Sequence, residues 1–540
     1  LYSSLQYGGH YIVDRINKIE IIRGPGSAIY GGNAEYAVIN IITLDNSDNN
    51  GVYANVYNSS MSKTFASRGV SFAAGKKFGK THINLSTVLN QSNRSQDTYT
   101  DYKGQSYDMA DYSGISNSQY RMDVSNGGFT ITGMCDRYSI DQRDGYEEIY
   151  KRSYKTEFNT MHISMKYDFK VANHLNISPG VRFKFQKPWM YEKNVTDDLF
   201  TPFNTSLNKK EYYLNSSYVL NDRVNISGGA VYFHQIAVQK LDTFLFSNGT
   251  NKFNIDNYAV FLQSIIKTKP INIILGIRHE YNPYFGSSTL PRFGLTKVWE
   301  KFHIKTLYSS AFRTPSVENI NVNQQILPEQ TYVAELEAGL KISESSYFTA
   351  NIYDITTNNS IVYFYDENEE DNYKNESSMG TRGIEMEYKW KSRGIYATVN
   401  YSFYTTAGHP SISIYSIPDE SNKLLAFPTH KINLNSNIQL SEKINFNPSL
   451  SYVSTRYTYS RTPDDLISYN LIDPALYANL ALNFENIICK GISMQVACIN
   501  IFNTENQFIQ PYNGNHNPLP ATAREYKLQI TYALSFKGDK

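Results

Sequence analysis

The chain has 540 residues and a net charge of +1, so its balance of charge gives no argument for a nucleic-acid partner. Its longest apolar runs, around Val38 to Ile42 and Ile271 to Leu275, fall far short of the roughly 18 residues a spanning helix needs, and its three cysteines have neither disulfide-framework nor metal-ligand spacing. A helical membrane protein and a disulfide scaffold are excluded, whereas 45 Tyr and 28 Phe among many Asn and Ser suit β-strands with aromatic rims.

Taken in order, the chain opens at Leu1 with neither a charged n-region nor an apolar h-region, so it reads as starting inside a domain, without a signal peptide. The first informative stretch is 19–43. Arg23-Gly24-Pro25, Gly26 and Gly31-Gly32 precede the run Val38-Ile39-Asn40-Ile41-Ile42, which predicts a sharp turn between two short buried strands. Nucleotide templates fail here: a dinucleotide fingerprint counted from Gly24 needs glycine where the chain has Ile29, and a P-loop counted from Gly26 needs lysine where it has Gly32. Asp45-Asn46-Ser47-Asp48-Asn49-Asn50-Gly51 is a polar breaker and predicts a linker.

From Val52 onward, short turn signals recur about every 45 to 50 residues, near Gly79, Gly127, Asn173, Asp222, Lys269, Glu300, Glu344, Gly394, Glu442 and Cys489. Each interval has room for a strand, a long polar loop and a second strand, so ten turns and two terminal strands predict about 22 strands. The strands alternate. Tyr526, Leu528, Ile530, Tyr532, Leu534 and Phe536 interleave with Lys527, Gln529, Thr531, Ala533 and Ser535, and Ile384, Met386, Tyr388 and Trp390 with Glu385, Glu387 and Lys389. Short turns at one end and long loops at the other are the pattern of a transmembrane β-barrel, not of a soluble sandwich.

On Ile19, Glu20, Arg23 to Pro25, Ser27, Tyr30, Gly31, Ala34 and Val38 to Thr43, the stretch 19–43 resembles the end of the plug domain of TonB-dependent outer-membrane transporters. It departs at Glu35-Tyr36-Ala37, where that family has small residues. The resemblance continues through Ala311-Phe312-Arg313-Thr314-Pro315-Ser316, Leu327-Pro328-Glu329, Gly380 to Glu385, Phe427-Pro428, Asn500-Ile501-Phe502-Asn503 and Leu519-Pro520. It implies an all-β membrane protein: a plug remnant over 1–44, a linker over 45–51, an antiparallel barrel of about 22 strands over 52–536 enclosing the plug remnant, and a polar tail over 537–540. The location implied is the outer membrane of a Gram-negative bacterium. The partners implied are TonB, through an N-terminal segment not present here, a small metal chelate or vitamin, and outer-membrane lipid and lipopolysaccharide. As written, such a chain is expected to be a monomer that inserts with a partly open lumen but does not transport actively.

No nucleophile, base and orienter converge in the sequence, so no catalytic residue, enzyme activity or cofactor is assigned. In the family the arginine matching Arg23 pairs with barrel carboxylates, so Glu20, Arg23, Gly24, Pro25, Tyr30 and Gly31 form the expected plug seat. Glu335, Glu337, Glu385 and Glu387 are its candidate partners. Candidate ligand residues are the loop aromatics Tyr99, Tyr102, Tyr107, Tyr112, Trp189 and Tyr191, with Arg313. The alternative for the aromatics is a girdle at the membrane interface. Asp366, Glu367, Glu369, Glu370 and Asp371 are a weak calcium set against a solvated loop tip. The resemblance implies TonB-dependent import. Residues 314–328 lack the histidine that haem importers carry there, so a ferric siderophore is expected, with cobalamin next and haem or oligosaccharide behind, although Tyr99 or Tyr102 would offer a phenolate to haem. A passive porin or adhesion barrel is the reading from another class, and it needs no plug.

Overall fold

The computed structural model describes residues 13, 16–24, 26, 31–32, 34–43, 50–145, 148–191, 204–240, 245–365, 371–418, 420–461, 467–509 and 516–535. Two strands, β1 (Ile16–Arg23) and β2 (Ala37–Thr43), form an antiparallel hairpin with Arg23 opposite Ala37 and Ile19 opposite Ile41. The next strand, β3 (Gly51–Ser60), starts a closed antiparallel barrel of 22 strands, each paired with its neighbours in chain order. Closure is made on β3, where Val56 pairs with Val70 on one side and with Ile530 of the last strand, Glu525–Ser535, on the other. Hydrocarbon offers no hydrogen bonds to an unpaired N–H or C=O, so only a sheet without edges is stable in it.

Alternation decides which side chains meet lipid. Tyr526, Leu528, Ile530, Tyr532 and Leu534 are exposed on the outer face, while from the opposite face Asn55 donates to Thr531 at 2.9 Å and Ser59 to Glu525 at 3.1 Å. On the strands from His430–Ser441 onward the lumenal face is an amide ladder: Ser451 donates to Asn433, Asn479 to Ser449, Asn483 to Asn447 and Gln495 to Asn483, at 2.6–3.1 Å. Tyr212, Tyr232, Tyr258 and Tyr281 pair across four successive strands on the lipid side, with ring centroids 6.2, 5.0 and 6.4 Å apart. These strand tyrosines are placed as an aromatic girdle is, on the lipid face of the wall.

All ten short turns fall where the period predicts them. At one of them the Asn221 side chain accepts from the backbone N–H groups of Arg223 and Val224. The other end is less uniform than the sequence pattern suggests, because the connections 61–64 and 283–285 there are also short. Strands Ser346–Tyr365 and Asp371–Ser392, of 20 and 22 residues, are about twice the length needed to span and rise well beyond the membrane.

Candidate functional site: plug seat and loop cap

The β1–β2 hairpin sits against one arc of the inner wall. Gly24 has φ +70°, and a Cβ added there would stand 3.5 Å from both carboxylate oxygens of Glu335. Gly31, at φ +85°, lies so close to Arg278 that a Cβ would be 3.0 Å from its Nη2. Both positions need a residue that tolerates a left-handed backbone and a close approach, which is glycine. Arg278 is itself buried. Its Nε donates to Glu280 at 2.8 Å, and Glu280 also accepts from Asn257 at 2.7 Å.

Glu35 and Tyr36, where the sequence leaves the family pattern, carry contacts between the hairpin region and the barrel. Glu35 is buried 3.6 Å from the Arg313 guanidinium, and the Tyr36 hydroxyl lies 3.4 Å from Thr357 Oγ1. Arg313 is already committed: its Nε and Nη2 donate to the two oxygens of Glu329 at 2.5 Å, and Glu329 also accepts from the Ile361 N–H at 2.6 Å. One guanidinium therefore serves two carboxylates. Burial, opposed by the Arg313 charge and reinforced by Glu329, pushes the Glu35 carboxyl up to about 7.

The loops at the long end form a second assembly. Arg94 holds Asp144 with two bonds, at 2.9 and 2.6 Å, and both side chains are 2% exposed. Tyr107 donates to the same carboxylate at 3.0 Å, and His516 Nε2 lies 3.7 Å from it. Burial opposes ionisation of Asp144, yet the Arg94 charge and hydrogen bonds, with His516, hold its carboxyl well below the usual range. Tyr99, Tyr107, Met109, Ile149 and Leu519 pack into one apolar cluster beside this network. Asn517 donates to the Thr100 carbonyl, Ser95 to that of Ala521 and Tyr102 to that of Tyr459, so four loops are stitched together.

These contacts redistribute the residues singled out in the sequence. Tyr99 and Tyr107 are 1% and 5% exposed and form the core of the cap, not its ligand face. Burial, with the Asp144 charge, pushes both phenols well above their ordinary range, which is opposite to what a phenolate ligand for haem iron requires. Tyr112 is exposed with the Arg143 guanidinium 4.9 Å over its ring, and Tyr102 is half-buried. Arg313 turns to the plug seat. Glu20, expected to be enclosed, is instead an accessible residue of β1 that takes Lys18 at 2.5 Å and Asn40 at 3.1 Å. Of the four candidate carboxylates, Glu335 faces the hairpin, whereas Glu337 holds His303 at 2.9 Å and Glu387 holds Lys389 at 2.7 Å. Pro25, Tyr30, Asp366, Glu367, Glu369, Glu370 and the side chains of Arg23, Trp189, Tyr191 and Asp371 lie outside the described residues.

The sequence reading missed Arg94, Asp144 and His516, and Glu35 as a partner of Arg313. It also missed a charged lumenal patch on strands Gly114–Asn126 to Thr205–Asn221. Arg121 pairs with Asp123 at 2.7 Å, and Arg182 and Lys209 share Glu211 at 2.6 and 2.8 Å. Lys184, directly across from Lys209, has no carboxylate within ion-pair distance among the described residues.

A sequence model of the family described as TonB dependent receptor-like, beta-barrel matches residues 27–501. The chain belongs to this family. Members are receptors and transporters that take small-molecule ligands, and the barrel lies in the Gram-negative outer membrane with its long loops outward. The vitamin B12 transporter BtuB of Vibrio cholerae is 21% identical over 96% of this chain and 79% of its own length. Among solved structures, a ferric enterobactin receptor of Pseudomonas aeruginosa superposes with a TM-score of 0.76 at 12% identity, covering 96% of this chain and 85% of the receptor. The siderophore receptor PirA of Acinetobacter baumannii gives 0.75 at 14%, with coverage of 96% and 85%. At these identities the solved structures establish the shared fold.

Proposed function

We propose that the protein imports a ferric siderophore across the outer membrane, energised by TonB. The observation that carries the choice of ligand is the lumenal patch, where Arg121, Arg182, Lys184 and Lys209 outnumber the carboxylates Asp123 and Glu211. A cationic wall in a confined lumen favours an anionic chelate over a less charged vitamin. Haem fits less well. His303, the histidine nearest the 314–328 loop in sequence, has its Nε2 on Glu337 and its Nδ1 on Tyr347 at 2.6 Å. Both nitrogens are thereby engaged.

Cobalamin is the second reading, and it rests on the named transporters of vitamin B12 whose sequences match most of this chain. In either case ligand is captured by the cap and adjacent loops, and a pull on the plug has to break the Glu35–Arg313 contact. Titrating the purified barrel with ferric chelates, cobalamin and hemin separates the readings. Binding of an anionic ferric chelate, weakened by Lys184→Gln, is the expected result. Stoichiometric cobalamin binding without chelate binding overturns it. In cells, accumulation of the ligand should collapse with the proton gradient, and accumulation that survives its loss overturns the TonB coupling.

A further inference from the structure

The lumenal wall changes character around the barrel. From Ile395–Thr405, through the closing strand Glu525–Ser535, to Thr81–Asn93, its inward positions are mostly amides, hydroxyls and small residues, among them Asn400, Asn435, Ser449, Gln495, Thr531 and Ser71. Charge enters this arc at its rims. Lys431, Glu525 and Lys527 stand beside the long loops, and Lys77 and His82 beside the short turn at Gly79. The rest of the wall, Gly114–Asn126 to Asp371–Ser392, carries charge away from its rims, with Arg121, Arg182 and Lys184 in one half and Arg278, Glu335 and Glu385 in the other.

The hairpin region is held on the charged side. Residues 24–36 meet the wall at Arg278, Phe312, Arg313, Glu335 and Thr357, all on strands Asn272–Asn282 to Ser346–Tyr365. The closing strand stands nine strands further round than Phe302–Arg313 in the barrel of 22, close to the opposite wall. There the hydrogen bonds run along the wall itself. Ser451 donates to Asn433 at 2.8 Å, Asn483 to Asn447 at 2.6 Å and Asn55 to Thr531 at 2.9 Å. Groups satisfied by one another lose little when whatever stands before them in the lumen moves away, whereas an ion pair such as Glu35–Arg313 leaves a charge uncompensated when it parts.

A solute crossing a lumen has to be bound well enough to enter and weakly enough to leave. For an anionic chelate the cations at 121, 182, 184 and 209 serve entry, but a row of such charges along the whole route would hold it, and carboxylates would repel it. Neutral amides and hydroxyls do neither. Each offers a donor and an acceptor, so a passing polar group exchanges one hydrogen bond for another at small net cost. We infer that the amide arc is the passage lane, so that the lumen opens between this wall and the plug and the chelate travels along Asn435, Gln495 and Thr531 toward the short-turn end. The lane rests on the import proposed above and adds to it which wall the ligand follows.

The test uses cells making the receptor with Cys135→Ser, Cys489→Ser and Cys498→Ser, labelled from outside with a membrane-impermeant maleimide. Asn435→Cys, Gln495→Cys and Thr531→Cys report one at a time on the amide arc, and Thr349→Cys on the seat side. Dissipating the proton gradient should slow labelling of the three arc positions roughly fivefold or more and leave Thr349→Cys unchanged, because the rate follows the fraction of time the lane is open. The ferric complex of an anionic tricatechol should protect the same three in energised cells. Labelling of the arc that ignores the gradient, or an equal response at Thr349→Cys, overturns the lane. A second measurement needs no cysteine, with heat-modifiable mobility confirming that each barrel is folded. Asn435→Lys with Gln495→Lys should leave binding of the complex to purified receptor within about twofold and cut its uptake about tenfold, whereas Asn435→Gln with Gln495→Asn should change neither. Undiminished uptake by the lysine pair overturns the lane. Labelling as expected without accumulation of the complex overturns the choice of ligand and leaves the lane standing.

Discussion

Two arginine–carboxylate groups of this receptor, one in the loop cap and one in the plug seat, are balanced differently. In the loop cap, Asp144 collects Arg94, Tyr107 and His516, so one negative charge has more donors than it needs. In the plug seat, Arg313 is shared by Glu35 and Glu329, so one positive charge has two acceptors and one of them is left short. The first arrangement holds a carboxylate ionised at any physiological pH. The second leaves Glu35 poised near neutrality. The import proposed above calls for these opposite balances, with a cap that keeps its shape and a hairpin that is released.

Breaking the cap should have the largest effect. Arg94→Ala leaves Asp144 buried and ionised without its main partner, a change that typically costs about 3–5 kcal/mol. Because three of the four stitched loops share this network, the expected outcome is loss of hydrogen-exchange protection across 94–113, 143–153 and 516–524 together, with the barrel strands unaffected. Protection that persists in these loops would mean that the apolar cluster around Tyr99, not the ion pair, holds the cap.

The pH dependence of the two sites should have opposite signs. Asp144 titrates lower when folded than its ordinary 3.8, so its contribution is present above that value and lost as pH falls below it. Glu35 is raised from 4.5 to about 7, so between those values the seated plug keeps a proton that the released plug gives up. Seating therefore weakens as pH rises through this window and levels off above it. Exchange of the 34–43 amides, corrected for intrinsic rates, should quicken from pH 5 to pH 8 relative to that of the cap. Glu35→Gln should abolish the slope, matching wild type at pH 5 and seating more tightly at pH 8. A slope that survives Glu35→Gln would assign the titration to another group.

The barrel was legible in the sequence because two periodicities carry it. Lipid contact forces the alternation of residues 526–534, and tight turns recur where strands reverse, so neither signal depends on distant partners. The hairpin strands were legible for the same reason, being short runs flanked by glycine, but their expected burial was not met, since Ile19, Ile21 and Ile39 are exposed. The cap was not. A Tyr/Asp-rich loop looks the same whether its rings face a ligand or fold inward onto a carboxylate, and what decides it are Asp144, 50 residues from Arg94, and His516, 417 residues from Tyr99. Glu35 and Tyr36 read as departures from a pattern because their partners, Arg313 and Thr357, are about 280 and 320 residues away.

A smaller effect sharpens the account of the seat. Gly31→Ala forces a side chain into a left-handed backbone and places its Cβ 3.0 Å from the Arg278 guanidinium, which is held by Glu280 and cannot swing away freely. The expected cost is about 1–2 kcal/mol, confined to the plug. It should appear as faster exchange in the 34–43 strand with no change in the cap. An unchanged plug would mean that the turn around Gly31 shifts without loss and that Arg278 does not define its position.

The smallest change separates a surplus donor from an essential one. Tyr107→Phe removes the hydroxyl that donates to Asp144 but keeps the ring, its edge contact with Tyr99 at 5.9 Å and its place beside Met109. Arg94 still supplies two bonds to the carboxylate, so the loss should be about 1 kcal/mol, the net worth of one hydrogen bond and far less than that of the guanidinium. Partial loosening of 94–113, with 143–153 still protected, is the expected pattern. If Tyr107→Phe loosens all three segments as Arg94→Ala does, the carboxylate has no donor to spare, and the contrast with the doubly shared Arg313 disappears.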